Sequence, residues 1–217
     1  TDGEVIAIDG KRVRRSYDEG KNKGAIHMVS AWASQNRLVL GQFKVDDKSN
    51  EITAIPQLLN VLDLQGCIVT IDAMGTQKNI AEQIVTQEGE YVLALKGNQG
   101  SLHEDVQQLF DWALKQDFEN IDHDFYESLE ASHGRMEKRR CWCLGQVNEL
   151  VDSQQWAKLT SIAMVEAIRE VNGHTSRAVR FYISSLEPNA QRLAEAIRAH
   201  WSIENPLHWV LDVAFRE

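Results

Sequence analysis

Three acidic residues of this sequence have the type and the surroundings needed to bind a divalent cation. Asp9 and Asp72 each follow a short apolar run, and Glu204 falls on the apolar side of a segment with helical periodicity. A buried carboxylate costs free energy unless it is paired or binds a metal. Because carboxylate oxygens are preferred ligands of hard cations, three converging carboxylates predict a site for Mg²⁺, for which Mn²⁺ can substitute.

Such a site has a specific chemistry. Two metal ions about 3.5–4 Å apart stabilise both the attacking and the leaving oxygen of a phosphodiester displacement. The three acids are separated by 63 and then 132 residues, so only the fold can bring them together. Taken singly, Asp9 or Asp72 could instead begin a turn, as aspartate commonly does. Both interpretations are open at the level of sequence.

The elements that would position these residues alternate between strands and helices. Apolar runs predict strands at residues 5–8, 25–33, 37–45, 67–71 and 91–95, and helical periodicity predicts helices at 51–62, 78–86 and 102–114. This alternation indicates an α/β fold, with a mixed sheet flanked by helices. If the first and fourth strands are neighbours, Asp9 and Asp72 lie side by side beyond the ends of those strands, where ligands gather in sheets of this type.

The pattern changes in the second half of the chain. From residue 118 to 187 the predicted elements are mostly strands, at 135–144, 159–169 and 176–184, and helical spacing returns at 189–204. We therefore predict one domain built from residues 1–117 and 188–217, interrupted by a mostly β insertion at 118–187. The helix at 189–204 would carry Leu193, Ile197 and Trp201 on its apolar stripe and point Glu204 toward the core.

Composition excludes several classes of protein. The chain has 217 residues, 43% of them apolar, and no apolar run approaches the length of a membrane span. Three cysteines are too few for a disulfide scaffold and suggest a reducing cytoplasm. Cys141 and Cys143 would share one face of a strand, and without a second ligand pair we expect them to pack in the core rather than bind zinc.

Charge is distributed unevenly. Nine acidic residues against one lysine in residues 101–130 account for most of the net charge of −9. Two basic clusters stand out from this background, and each could hold a phosphate backbone or form a solvated surface. The clusters comprise Lys11, Arg12, Arg14, Arg15, Lys21 and Lys23, and Arg135, Lys138, Arg139 and Arg140.

Several motifs along the chain resemble one known family. They are Ile8-Asp9-Gly10-Lys11, Ile71-Asp72-Ala73, Leu95-Lys96-Gly97-Asn98-Gln99, His133-Gly134-Arg135, and His200-Trp201-Ser202-Ile203-Glu204-Asn205 followed by Leu207-His208-Trp209. In this order they are similar to the DDE transposases of bacterial insertion sequences, in particular the ISAs-type group of H-repeat-associated proteins linked to Rhs elements. The resemblance covers nearly the whole chain.

The resemblance implies an RNase H-like catalytic domain with a β-rich insertion. Asp9, Asp72 and Glu204 would be the catalytic triad and would hold a two-ion Mg²⁺ site. Water would attack the phosphodiester at an element end, and the freed 3′-hydroxyl would then attack target DNA. In related transposases a Tyr-Arg-Glu-Lys signature surrounds the glutamate, whereas here His200 and Leu211 stand at the Arg and Lys positions. Members normally carry an upstream DNA-recognition segment, which we expect to lie outside this sequence.

DNA is the expected partner, both as element ends and as target, with no membrane contact. A homo-oligomer on paired ends and a cytoplasmic, nucleoid-associated location follow from the same resemblance. Arg135, Glu137 and Arg139 would share one strand face, where the arginines could hold phosphates or pair internally. The predicted DNA contacts are Lys11, Arg12, Arg14, Arg15, Lys96, His133, Arg135, Arg139, His200 and Asn205. Four other histidines receive no role: His27, His103, His123 and His174.

Two alternatives compete with an active transposase. The chain could be a catalytically inactive remnant that retains the fold and DNA binding, a possibility raised by the altered residues around Glu204. An actin-like ATPase would share the sheet topology, but it needs a Gly-rich phosphate loop after the first aspartate, and Gly10-Lys11-Arg12 does not supply one.

Overall fold

A computed structural model describes residues 3–13, 26–45, 50–132, 135–171, 173–203 and 207. The chain divides into two compact units, Thr1–Tyr91 with Ala196–Glu217, and Val92–Glu195. The predictions that concern Arg14, Arg15, His133, Glu204 and Asn205 lie outside the described residues.

The first unit is a mixed sheet with helices. Its strands have the order β3-β2-β1-β4, with β1 antiparallel to β2 and parallel to β4. Its strands and helices are β1 (Val5–Arg12), β2 (His27–Ala33), β3 (Leu38–Val45), α1 (Glu51–Leu59), β4 (Ile68–Ile71) and α2 (Lys78–Thr86).

Apolar residues on both faces of β1 explain its place inside the sheet. Ile6, Ala7 and Ile8 are all fully buried, which is typical of a strand covered on both sides. Helix α1 contacts β2 and β3 and buries Leu58 and Leu59. The predicted α/β fold with a mixed sheet and flanking helices is confirmed.

The second unit is dominated by antiparallel strands. They have the order β5-β9-β8-β7-β6, and helix α3 contacts β9. Phe110 of α3 stacks on Phe181 of β9 with ring centroids 6.0 Å apart. The remaining elements are β5 (Glu90–Leu95), α3 (Ser101–Lys115), β6 (Asp124–Ser132), β7 (Arg135–Leu144), β8 (Ser161–Val171), β9 (His174–Ser184) and α4 (Ala190–His200), of which β5 and α4 begin in one unit and end in the other.

The bounds of several elements differ from the sequence prediction, including α1, which ends at Leu59 rather than at residue 62. Strand β1 continues past Ile8 to Arg12 because its second half pairs with β2 alone. Strand β6 was not predicted, because it is rich in acidic residues and its apolar side chains face solvent, with Leu129 65% exposed. Helix α4 ends at His200, not at residue 204, and Trp201–Ile203 form turns.

The cysteines pack as expected. Cys67, Cys141 and Cys143 are free thiols and all three are buried. Burial raises the pKa of Cys141, and it raises the pKa of Cys143 to about 11. The predicted packing of Cys141 and Cys143 in the core is confirmed.

Candidate functional site

The parallel register of β1 and β4 determines where the two aspartates lie. Ile8 is paired with Ile71, and this is the last pair of the two strands. Asp9 directly follows Ile8 and Asp72 directly follows Ile71, so the two aspartates stand side by side where the parallel pairing ends. The sequence suggested that Asp9 terminates its strand. Instead β1 continues beyond it, and Asp9 is paired with Ser30 of β2. Both aspartates are half-buried.

Asp72 also begins a turn. The backbone N–H groups of Met74 and Gly75 donate hydrogen bonds to its Oδ1 at 3.0 and 3.2 Å. The backbone N–H of Gly10 donates to Asp9 Oδ1 at 2.9 Å. These bonds orient the carboxylates without neutralising their charge. The turn interpretation of Asp72 and the side-by-side arrangement with Asp9 are therefore compatible.

The chain that leads to Glu204 is anchored on one face of this sheet. His200 Nδ1 lies 3.0 Å from the hydroxyl of Thr70, two residues before Asp72. Three residues further on, Ile203 is fully buried in a cluster with Ala7 and Trp32. Because side chains two residues apart share a face of a strand, Ala7 lies on the face of β1 that also carries Asp9, and Thr70, which is paired with Ala7, lies two residues before Asp72.

The His200 imidazole has a structural contact, its hydrogen bond with Thr70. Burial lowers its pKa, while the negative charge of Asp72 acts in the opposite direction. A ring with a lowered pKa is neutral at pH 7 and attracts phosphate weakly. Its hydrogen bond with Thr70 indicates a role in fixing the end of α4. Its predicted contact with DNA stays a prediction.

Two residues close to the Asp9-Gly10 segment were not singled out by the sequence analysis. The Glu51 carboxylate, in the first turn of α1, lies 2.7 Å from His27 Nε2. Burial raises the pKa of Glu51, and the charge of Asp72 raises it further, while His27 opposes both effects. The sequence showed no partner for His27, and the structure corrects this, because its Nε2 lies against the Glu51 carboxylate. A glutamate in the first turn of a helix is common, so the sequence gave no reason to single out Glu51. The glycine after Asp9 is the one local signal, because the Glu51 carboxylate occupies the space beside Gly10 where a side chain would otherwise lie.

The predicted basic residues fall into different environments. Lys11 is buried in β1 at 9% exposure, and Arg12 beside it is exposed. In β7, Arg135 forms an ion pair with the buried carboxylate of Glu137, and Arg139 Nη2 lies 2.5 Å from the same carboxylate. Of the two alternatives for these arginines, internal pairing is the arrangement in the structure, and DNA contact stays a prediction.

A basic groove lies within the second unit. It has a volume of about 690 Å³ and its walls include four cationic side chains, two carboxylates and two large aromatic rings. Lys96, one of the predicted DNA contacts, is exposed at its rim. Glu166 binds Arg140 and Arg177 at 3.3 and 2.5 Å. The charged and aromatic residues are Lys96, Arg140, Arg177, Arg180, Asp111, Glu166, Trp142 and Phe181.

The expectation that this site binds a metal ion rests on the carboxylate oxygens available as ligands. Asp9 and Asp72 supply carboxylate oxygens, which suit Mg²⁺. Among the described residues no group of three or more His, Cys, Asp or Glu side chains is arranged to hold a metal ion. The predicted third ligand, Glu204, lies outside the described residues, so the divalent-cation site stays a prediction. In those same parts of the chain, no helix is long and apolar enough to cross a membrane.

Comparison with known proteins identifies the family of this chain. The family model for the transposase DDE domain matches residues 1–217. The chain therefore belongs to the DDE transposase family. The matches do not favour an inactive remnant over a transposase.

Its relatives include proteins of the H-repeat type. "Putative transposase YncI" of Escherichia coli O157:H7 is 48% identical over 221 residues, which cover 100% of this chain and 56% of that protein. "H repeat-associated putative transposase YhhI" of Escherichia coli (strain K12) is 46% identical and is covered to 58%. The chain thus spans somewhat more than half the length of these relatives. Among solved structures, DesVI of Streptomyces venezuelae aligns with a TM-score of 0.26 at 10% identity over 61% of this chain and 49% of DesVI.

Proposed function

We propose that this chain is the catalytic part of a transposase that cleaves and joins DNA strands at the ends of an insertion sequence. The observation that carries the proposal is the side-by-side placement of Asp9 and Asp72 at the end of the β1–β4 pairing. The match of the whole chain to the DDE domain supplies the reaction class. Glu204 is proposed as the third acid.

The proposed roles follow from charge and position. Asp9 and Asp72 would hold Mg²⁺, and Glu204 would add a carboxylate ligand from the C-terminal part of the chain. When bound, two Mg²⁺ ions supply positive charge that stabilises the attacking and leaving oxygens of the phosphodiester. The backbone bonds to Asp72 Oδ1 limit its rotation, so this carboxylate is oriented before the cation arrives.

His200 and Ile203 would position the third acid. The His200–Thr70 hydrogen bond and the burial of Ile203 fix the chain immediately before Glu204 to the sheet face that carries the aspartates. A site built from distant segments requires such anchoring, because small displacements of a ligand reduce catalysis strongly. These residues act through Glu204 and are positioning residues.

Each unit is proposed to supply its own DNA contacts, which are the basic groove in the second unit and the cationic residues near Asp9 in the first. Phosphate contacts position a duplex without reading its sequence. Lys96, Arg177 and Arg180 supply exposed positive charge in the groove, and Trp142 supplies a half-buried ring for contact with a base or sugar. The carboxylates of Asp111 and Glu166 reduce the net charge, so we expect moderate affinity with clear dependence on salt.

Four further expectations belong to this proposal. The sheet is proposed to be RNase H-like, with residues 1–117 and 188–217 as the catalytic domain and 118–187 as its insertion. Mn²⁺ is expected to substitute for Mg²⁺. The protein would act in the cytoplasm in association with the nucleoid. Paired element ends would be bound by a homo-oligomer.

DNA nicking tests the proposal directly. The chain is incubated with supercoiled plasmid and with terminal-repeat duplexes, with Mg²⁺, with Mn²⁺ and with EDTA. We expect cation-dependent nicking and joining that Asp72→Asn reduces at least 100-fold. Asp63→Asn, which changes an acid in the loop before β4, serves as the matched control and should retain activity. Equal activity of Asp72→Asn and the unmodified chain, or no cation-dependent cleavage by either, would contradict the proposal.

A further inference from the structure

We propose that Arg135 and Arg169 bind the phosphate backbone of DNA on the face of the second unit opposite to the basic groove, with Glu137 holding both guanidinium groups in place. This inference rests on the proposed function, and it adds a second DNA-binding surface to the second unit. The sequence analysis singled out Arg135 but not Arg169, because only the pairing of β7 with β8 brings the two arginines together.

The strand register shows which face carries these residues. Arg169 is paired with Glu137, and Arg135 is two residues before Glu137 on β7, so all three side chains share one face. Trp142 is an odd number of residues from Glu137 and points to the other face, where it lines the groove together with Phe181. Helix α3 packs on that other face through the contact of its Phe110 with Phe181. The proposed surface is therefore separate from the groove.

The three arginines that contact Glu137 differ in exposure. Arg139 is 18% exposed and contacts two carboxylates, Glu137 at 2.5 Å and Glu130 at 3.3 Å. Arg135 and Arg169 are 44% and 47% exposed, and each pairs with the Glu137 carboxylate. A guanidinium group carries several N–H donors in a rigid fork, and contact with one carboxylate does not use them all. Arg135 and Arg169 are therefore the members of the cluster that can reach a ligand.

The charge balance of the cluster favours an anionic ligand. Three guanidinium groups meet two carboxylates, those of Glu137 and Glu130. A structural ion pair needs one cation for each carboxylate, and a further cation is repelled by its neighbours. A phosphate bound by the two exposed arginines would offset this repulsion. Arginine suits that role because its fork can donate two parallel hydrogen bonds to one phosphate.

Short side chains beside the arginines leave space for a DNA backbone. On the same face, Ser176 of β9 is paired with Arg169, and Ala167 of β8 is paired with Ala178 of β9. Ser176 and Ala178 are exposed. No long side chain at these three positions separates Arg169 from an approaching duplex. Contacts of arginine with phosphate position a duplex without reading its sequence.

The competing interpretation is that the arginines only stabilise the pairing of β7 with β8. The salt dependence of DNA binding separates the two interpretations. Binding of a labelled random-sequence duplex to the 217-residue chain is measured in EDTA, at NaCl concentrations from about 50 to 200 mM. EDTA removes divalent cations, so the measurement does not depend on the proposed Mg²⁺ site. The same titration with a terminal-repeat duplex should give the same changes, because the contacts are with the backbone.

Loss of one phosphate contact has a defined size. It makes the slope of log K against log salt less steep by about 0.9, which is about an 8-fold loss of affinity at about 0.1 M salt. We expect this change for Arg169→Gln and for Arg135→Gln. Arg169→Lys keeps the charge and should keep the slope. Lys115→Gln removes the same charge from an exposed position at the end of α3 and should leave both affinity and slope unchanged.

A pair of variants on β9 provides an independent route. Ser176→Asp leaves the arginines and Glu137 in place and adds a negative charge directly opposite Arg169. Thr175→Asp adds the same charge at the adjacent exposed residue, whose side chain points to the other face. We expect Ser176→Asp to weaken DNA binding about as much as Arg169→Gln, and Thr175→Asp to weaken it less, because distance and salt screen its charge. If Arg169→Gln fails to fold, judged by circular dichroism, this pair decides.

The outcomes separate the inference from the proposed function. If the arginine variants and Ser176→Asp bind DNA with the affinity and salt slope of Lys115→Gln, the inference is overturned and the proposed function stands. Arginine variants that lose stability in urea but keep the salt slope of the unmodified chain also overturn the inference, because they show a purely structural network. If the slope falls as expected and the unmodified chain shows no cation-dependent nicking, the inference holds and the proposed catalytic function fails. A chain that binds no duplex overturns both.

Discussion

Replacement of Glu137 by glutamine should loosen the β7–β8 part of the second unit. The Glu137 side chain is 4% exposed and receives three guanidinium groups. Arg139 Nη2 is 2.5 Å away and Arg169 Nη2 is 3.3 Å away, and Arg135 also pairs with it. Glutamine keeps the shape of the side chain and removes the charge. Three arginines would then repel one another around a neutral amide.

The size of this effect follows from exposure. Breaking a fully buried ion pair costs about 3–5 kcal/mol, and breaking an exposed one costs about 0–1 kcal/mol. Glu137 is buried, but Arg135 and Arg169 are 44% and 47% exposed, so solvent screens two of the three contacts. We therefore expect a loss of roughly 2 kcal/mol, which corresponds to about a 30-fold change in an opening equilibrium.

Hydrogen exchange measures this loss locally. Peptides of β7 and β8 should lose protection about 30-fold in Glu137→Gln at pH 7. Glu127→Gln is the matched control, because Glu127 is an exposed carboxylate that also binds two cations, Lys138 and Arg140. Its replacement should leave protection nearly unchanged.

The pH dependence gives a second check on Glu137. Burial alone would raise its pKa, but hydrogen bonds from Arg135 and Arg169 and the charge of Arg139 lower the pKa below its ordinary value of 4.5. A lowered pKa contributes stability that is present above the unfolded value and lost as pH falls through the folded value. The difference between the unmodified chain and Glu137→Gln should therefore shrink below pH 4.5. The reasoning would be refuted if Glu137→Gln and Glu127→Gln lost equal protection at pH 7. It would also be refuted if the difference in stability between the unmodified chain and Glu137→Gln persisted as the Glu137 carboxylate is protonated.

Three further predictions concern packing and reactivity. Gly75→Ala places a Cβ 2.4 Å from Ile71 Cγ2, and overpacking of this kind should cost about 1–3 kcal/mol in urea unfolding; an unchanged midpoint would show that the turn can move. Ile203→Ala removes a fully buried side chain and should lower the free energy of unfolding by about 2–5 kcal/mol. It should also reduce cation-dependent nicking more than Gly75→Ala does, because Ile203 anchors the chain before the third acid. Cys141 and Cys143 should resist iodoacetamide at pH 8 in the native chain and react in urea, as mass spectrometry would show, since burial raises both thiol pKa values; rapid labelling of the native chain would contradict their burial.

The positions of the three acids differ in how far the sequence could reveal them. Apolar runs before Asp9 and Asp72 are a local signal, because a strand buried on both faces needs consecutive apolar residues. That signal was sufficient to predict β1 and β4, whereas the proximity of the two aspartates depended on these strands being neighbours, which their parallel pairing in the structure shows. It could not show that β1 continues beyond Asp9, because that depends on pairing with β2. The helix ending at His200 likewise depends on the contacts of the following turn with the sheet.

Glu51 and His27 show what only the tertiary structure decided. Neither residue stands out locally, since one begins an amphipathic helix and the other begins a strand. Their ion pair and the approach of Glu51 to Gly10 arise when α1 packs on β2 and β3. Periodicity determines which residues are buried within one element, whereas the register between elements determines which side chains meet. The sequence by itself therefore determined the α/β architecture and the buried strands that precede the two aspartates. The pairing of β1 with β4 decided that these aspartates lie side by side, and the packing of α1 against the sheet decided that Glu51 meets Gly10 and His27.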